Sequence, residues 1–154
     1  MSDGRVEVPD GVLPSDDLPD GWSLTTIGSI SDVVGGGTPR SSDSENFSEN
    51  GYPWITPADL SGFRELYILR GRRDLSENGL RSSSAVVMPA GTVLMSSRAP
   101  IGYVAIAANP VCTNQGFKSF ICCSEIDPEF VYFWLRLIMP YHYCPANAGC
   151  SDGK

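Results

Sequence analysis

The chain has 154 residues, 42% of them hydrophobic and 19% charged, with one histidine and a formal net charge of −7. That is one domain's worth of sequence with enough apolar residues for a compact core, and no apolar run of about eighteen residues offers a transmembrane helix. The acidic opening MSDGRVEVPD has no apolar h-region, so it is not read as a signal peptide, and a cytoplasmic location with no membrane partner is expected.

The five cysteines are odd in number, and Cys122 and Cys123 are adjacent. A disulfide framework would show an even, spaced set, so reduced thiols are expected. No C-x-x-C pair occurs, and His142, Cys144 and Cys150 only sketch a metal site, so none is expected. Charge is unevenly spread. Residues 1–50 hold two arginines against ten acids, residues 51–120 seven basic side chains against four acids, and residues 121–154 two against four. A mildly basic centre is a weak phosphate footprint. Such a domain is expected to bind DNA poorly alone and to need a partner that supplies charge.

Residues 1–17 are rich in Pro, Gly and Asp without periodicity and read as a disordered acidic arm. Organisation begins at Leu18-Pro-Asp-Gly-Trp22, a turn leading into an expected first strand over 23–27, with 27–34 continuing as a helical turn or a strand. Gly35-Gly-Gly-Thr-Pro-Arg40 is a Gly-rich loop. It lacks the Walker lysine-serine ending and dinucleotide spacing, which leaves two readings: a phosphate cradle with Thr38 and Arg40 beside it, or a tight turn needing positive φ. Residues 41–50 read as an exposed loop or short helix. Pro53-Trp-Ile-Thr-Pro57 is extended, since residues before proline avoid the helical region, and Trp54 is expected in the core. Thr56 and Asp59 could face a ligand or cap the following turn, capping being favoured.

Arg64, Arg70, Arg72 and Arg73 lie in a loop over 61–73 that reads either as a tracker of phosphates and guanines or as a solvated basic surface. Residues 74–79 read as a short helix stopping near Gly79. Strands are expected over 85–88 and 92–96, joined by a type I turn with Pro89 second and Gly91 fourth. Arg98-Ala-Pro-Ile-Gly102 makes a corner into a strand over 103–107. Ala108-Asn-Pro110 then turns into Val111-Cys112, and Thr113-Asn-Gln-Gly116 leads into a strand over 117–122. The stretch from Thr92 to Phe120 is the most strand-like and least charged part of the chain. It reads as a β-meander that presents Arg98, Asn114, Gln115 and Lys118 near strand ends. Asp127-Pro-Glu129 opens a helix with an N-cap, a proline at the first position and an acid in the first turn. Residues 130–139 are apolar nearly all round, which calls for cover on several sides, and Pro140 is expected to end the helix.

Chemistry for catalysis is sparse. There is no G-x-S-x-G elbow and no H-E-x-x-H, and no paired-carboxylate nuclease pattern is evident in the meander. Asn109-Pro-Val-Cys112 is similar to the N-P-P-aromatic loop of amino-methyltransferases only in its first two residues. A Cys144–His142 pair would lie in a Pro-rich tail without rigid support. Binding remains: Asn and Gln suit adenine, and Arg suits guanine, each bidentate pair being worth about 1–3 kcal/mol of discrimination.

Five segments occur in order over about residues 18 to 120: Leu18-Pro-Asp-Gly-Trp22, Gly36-Gly-Thr-Pro39, PWITPADL from Pro53, GTVLMSSRAPIG from Gly91 and TNQGFKS from Thr113. In this ordered set the chain resembles a single target recognition domain of a type I restriction-modification specificity subunit. The resemblance implies an α+β domain, with a twisted, mainly antiparallel β-sheet, short helices and a C-terminal helix, over residues 18–140, with 141–154 an incomplete irregular tail. It implies a non-catalytic, sequence-specific reader of one half of a bipartite site in double-stranded DNA. Partners would be the modification methyltransferase subunit, which would bind S-adenosylmethionine, and the restriction subunit. The chain would hold no cofactor. A truncated decoy that binds the methyltransferase without productive DNA recognition is the alternative.

Motif residues shared across that family suit scaffold or phosphate roles, so the 61–81 and 40–50 loops are the better places for base readers. Arg72→Ala is therefore expected to alter site preference and Arg98→Ala to weaken binding at every site. Subunits of this family run on into spacer helices and a second recognition domain. The chain matches none of that, and in a longer subunit a following helix would cover Phe133, Trp134 and Leu137.

Overall fold

The computed structural model describes residues 18–98 and 100–142. Among them, nine strands follow in chain order: β1 (Ser31–Gly35), β2 (Phe47–Ser48), β3 (Tyr52–Ile55), β4 (Tyr67–Ile68), β5 (Arg73–Leu75), β6 (Val93–Ser96), β7 (Val104–Ala107), β8 (Cys112–Thr113) and β9 (Phe117–Cys122). Three α-helical segments accompany them, α1 (Ile27–Ile30), α2 (Glu77–Arg81) and α3 (Pro128–His142), with 3₁₀ turns at Ser44–Asn46 and Pro57–Leu60. The α+β class and the mainly antiparallel pairing are as expected, but the strands form two sheets instead of one. The first has the order β1-β9-β6-β7-β4 and the second β2-β5-β3-β8.

The central run is not a simple meander. β6 and β7 form an antiparallel pair with Val93 opposite Ile106, and β8 then leaves to pair in parallel with β3 in the second sheet. β9 returns on the far side of β6, with Val93 opposite Phe120, and carries β1 outside it, with Gly35 opposite Lys118. Alternation along these strands explains their unbroken apolar character, because both faces are covered. Leu94, Ala105, Ala107 and Phe117 join Ile55 of β3 and Val111 in one cluster. Val93, Val104, Ile106 and Phe120 point to the other face, where Val131, Tyr132 and Leu135 of α3 cover them. Trp54, Leu75, Ala85 and Cys112 form a third cluster on the second sheet.

Several local expectations are corrected. Residues 23–26 are irregular, and the chain makes the helical turn α1 before its first strand, β1. Residues 85–88 are no strand: only Met88 bridges, to Val111, while Val86 and Val87 are exposed, so β-branched content there meets no partner strand. The turn after it is framed by Thr92 N–H donating to the Pro89 carbonyl at 3.3 Å. That places Gly91, at φ +85°, third in the turn, where a type II geometry needs glycine. Arg73–Leu75 is strand, and α2 starts behind a Ser76 cap whose hydroxyl accepts from Gly79 N–H at 3.1 Å. It passes through Gly79 to Arg81 because that glycine lies against Asn46, where a Cβ would sit 2.0 Å from the carbonyl oxygen. Asp127 caps α3 as expected, its Oδ1 accepting from Glu129 N–H at 2.9 Å. The helix runs to His142, two residues beyond Pro140, since a proline in the last turn forfeits only one hydrogen bond. Phe133, Trp134 and Leu137 are exposed on it. The acidic arm, Cys144 and the tail from residue 143 lie outside the described residues.

Candidate nucleic-acid interface

The parallel pairing of β3 with β8 sets Trp54 beside Cys112 and Ile55 beside Thr113, so the chain leaves both strands at the same end. Thr56 and Asn114 therefore emerge side by side, and Asn114 N–H donates to the Ile55 carbonyl at 3.1 Å. Two other segments are tied to this point. Gly37 N–H donates to the Thr113 carbonyl at 2.9 Å, and Trp54 Nε1–H donates to the Gly37 carbonyl at 3.0 Å. Ser97 N–H donates to the Gly116 carbonyl at 2.7 Å, which brings Arg98 in from the end of β6. The Thr38 hydroxyl donates to Gln115 Oε1. Asn114 Oδ1 accepts from Gly116 N–H at 2.9 Å and so braces its own turn. The result is an open cleft of about 480 Å³ lined by Thr56, Pro57, Ser61, Arg98, Asn114 and Gln115.

The positive-φ reading of the Gly-rich loop is corrected. Among the described residues, positive φ belongs to Gly21, Gly62, Gly91 and Gly102, not to Gly35, Gly36 or Gly37. Glycine is required there by contact: a Cβ on Gly36 would stand 2.0 Å from the Asn114 carbonyl oxygen, and one on Gly37 2.3 Å from Ala85 N. The loop is thus a close crossing of backbones, in which Gly37 N–H is already spent on Thr113.

The arginines gather at a second open cleft, also about 480 Å³, lined by Phe47, Glu49 and residues 70–74. Each is held differently. Arg73 lays its guanidinium 3.4 Å over the centre of the Phe47 ring. An Arg70 guanidinium nitrogen stands 3.2 Å from Asp74 Oδ2 in an ion pair off the hydrogen-bonding line, which leaves that buried oxygen without a hydrogen bond. Arg72 donates its backbone N–H to Asp59 Oδ1 at 3.0 Å, while its side chain stays 80% exposed with Nε 3.9 Å from the same oxygen. Arg40, Arg64 and Lys118 are exposed and line neither cleft.

Asp59 caps its turn as expected, its Oδ2 accepting from Thr56 N–H at 2.8 Å and from the Thr56 hydroxyl at 2.6 Å. Asn46, buried and overlooked from the sequence, ties the 40–50 loop to α2. Its Nδ2 donates to the Arg40 carbonyl at 3.0 Å, and its Oδ1 accepts from Asn78 Nδ2 at 2.9 Å and from the Ser82 hydroxyl at 3.0 Å. An asparagine in a polar loop gave no signal of this beyond its type.

Among the described residues, reactive groups are not assembled. The Cys112 thiol donates to the Pro53 carbonyl at 3.3 Å, and burial, with the Asp74 carboxylate adding to it, pushes its pKa from 9.0 to about 12. It stays a protonated thiol at neutral pH. Among the described residues, no group of three or more His, Cys, Asp or Glu side chains is placed to hold a metal ion.

Strand ends and loops that present amides, hydroxyls and guanidiniums on rigid sheets define a recognition module. Residues 19–148 match the family model of the type I restriction modification DNA specificity domain, and the chain belongs to that family. It is 42% identical over 134 residues to the type I restriction enzyme MjaIX specificity subunit of Methanocaldococcus jannaschii, which covers 87% of this chain and 31% of that protein. The crystal structure of the HsdS subunit from Thermoanaerobacter tengcongensis superposes with a TM-score of 0.66 at 26% identity, over 83% of this chain and 30% of that one. A structure described under complex assembly and conformational transition of the type I R-M system gives 0.68 at 26% identity, over 84% and 30%. The chain thus spans under a third of the length of these relatives.

Proposed function

We propose that this domain reads one half of a bipartite double-stranded DNA site and thereby directs a modification methyltransferase subunit, and in restriction complexes the restriction subunit, to that sequence. The methyl transfer belongs to the partner, which binds S-adenosylmethionine; this chain supplies no cofactor and no catalytic group. The observation that carries the reading is the convergence of Thr38, Arg98, Asn114 and Gln115 on one set of strand ends beside the cleft of Arg70, Arg72 and Arg73. The first group sits on segments joined by backbone bonds and suits orientation on the DNA backbone; the second projects from a loop and suits base edges. A net charge of −7 leaves most phosphate neutralisation to the partner.

The test is assembly of the chain with the modification subunit, followed by salt-titrated binding to a duplex pool of randomised sequence. A complex that selects one sequence and loses affinity steeply as salt rises supports the reading. A complex without preference is the behaviour of a decoy and refutes it.

A further inference from the structure

Asp59 sits between the two clefts, and its side chain is only 6% exposed. One carboxylate oxygen is filled by Thr56, through N–H and hydroxyl at 2.8 and 2.6 Å. The other accepts Arg72 N–H at 3.0 Å. Thr56 belongs to the wall of the cleft containing Arg98, Asn114 and Gln115, and Arg72 to the wall of the arginine cleft. One nearly buried anion therefore fixes the separation of the two walls.

Gly71 makes this grip close. A Cβ there would lie 2.6 Å from the Trp54 carbonyl oxygen and 2.8 Å from Asp59 Oδ2. The loop is thus drawn onto β3 just before Arg72. The three arginines then differ in a way that matters for reading. Arg70 spends its head on Asp74, and Arg73 spends its head on Phe47. Arg72 alone of the three combines a pinned backbone with a head that is 80% exposed and makes no hydrogen bond. The pinned backbone sets where the side chain starts from, and its exposed guanidinium remains available for a bidentate contact.

We propose that Asp59 is a positioning residue for sequence recognition: it holds Arg72 at a set distance from the strand-end cleft, so that Arg72 reads one base pair in register with the backbone contacts made there. The inference rests on the DNA-reading function proposed above.

The experiment selects sequences from a randomised duplex pool with the full chain, assembled with the modification subunit, as wild type, Asp59→Asn, Arg72→Ala and the double variant, and records thermal melts alongside. Losing one bidentate contact relaxes preference at one base pair by about 5- to 150-fold. Asp59→Asn is expected to relax the same base pair as Arg72→Ala and to leave the other positions selected. The double variant is expected to be no worse there than Arg72→Ala alone. Gly71→Ala, whose Cβ pushes the loop off the carboxylate while leaving both partners in place, is expected to reproduce the effect and decides the matter if Asp59→Asn does not fold. An even loss of binding at all sequences, or unchanged preference in Asp59→Asn and Gly71→Ala while Arg72→Ala relaxes one position, overturns the proposal. A wild-type complex that selects no sequence instead overturns the function on which it rests.

Discussion

Replacing Gly36 by alanine tests whether the Gly-rich loop is a contact and not a hinge or an anion site. The added Cβ would stand 2.0 Å from the Asn114 carbonyl oxygen and 2.4 Å from that of Thr113, where ordinary contact begins at 3.4 Å. Both neighbours are backbone, so no side-chain rotation relieves the clash. The crossing must open by more than about 1 Å, which breaks the 2.9 Å bond from Gly37 N–H to Thr113 and separates Thr38 from Gln115. Overpacking of this kind costs about 1–3 kcal/mol, and the lost hydrogen bond adds about 1 kcal/mol. At about 3–4 °C per kcal/mol for a chain of this size, the melting temperature should fall on the order of 10 °C. Thermal melting measures this, with Gly28→Ala as control, since a Cβ on Gly28 meets nothing within 4 Å. A Gly36→Ala protein that melts within about 2 °C of wild type would refute the argument, because it would mean the backbones are free to separate.

Arg98→Ala should weaken binding at every DNA sequence alike and remove about one phosphate from the salt dependence, a factor of about 3.5 in affinity between 50 and 200 mM salt; a change in selected sequence would contradict this. Folding keeps the Cys112 thiol protonated, so its contribution to stability is complete below the ordinary thiol value of 9.0 and is lost as pH rises toward about 12. Urea midpoints should therefore fall more between pH 8 and pH 10.5 in wild type than in Cys112→Ala, and iodoacetamide should modify native Cys112 slowly at pH 8. On α3, Leu135→Ala should cost about 2–5 kcal/mol because Leu135 is 4% exposed against the sheet. Phe133→Ser, at a site 60% exposed, should change stability by less than about 1 kcal/mol in denaturant titration.

Much of the scaffold was legible because its signals are local. Asp127-Pro-Glu129 announces a helix start, Thr56 and Asp59 announce a cap, and the apolar strands β6, β7 and β9 appear where their β-branched and aromatic residues stand. What was not legible depends on partners distant in sequence. Two-residue strands such as β8 carry no periodicity, so nothing in Cys112-Thr113 reveals that it deserts its neighbours for β3. Val86 and Val87 look like strand and are surface because no strand lies beside them. Arg98, Asn114 and Gln115 were each expected near a strand end, whereas their meeting at one cleft, and the roles of Asp59 toward Arg72 and of Asn46 toward α2, exist only once the loops are folded.

The two clefts differ in what holds them. At the strand ends, Gly37, Asn114, Ser97 and Gly116 are joined backbone to backbone across β1, β3, β6 and β8, so a substitution there acts on the scaffold. In the arginine cleft, the heads of Arg70 and Arg72 are 53% and 80% exposed, and no core cluster includes Arg70, Arg72 or Arg73. A side chain such as Arg72, whose head makes no hydrogen bond, can be exchanged at a stability cost usually within about 0.5 kcal/mol, whereas removing Arg70 would strip the buried Asp74 carboxylate of its ion-pair partner. Asp59 is the joint: it fixes where the loop begins without specifying which side chain the loop carries, since its bond to residue 72 is to the backbone. A different residue at position 72 would still be delivered to the same place, at the same distance from Arg98 and Asn114. On the function proposed above, base preference would be rewritten on the loop while the strand-end cleft stays as it was.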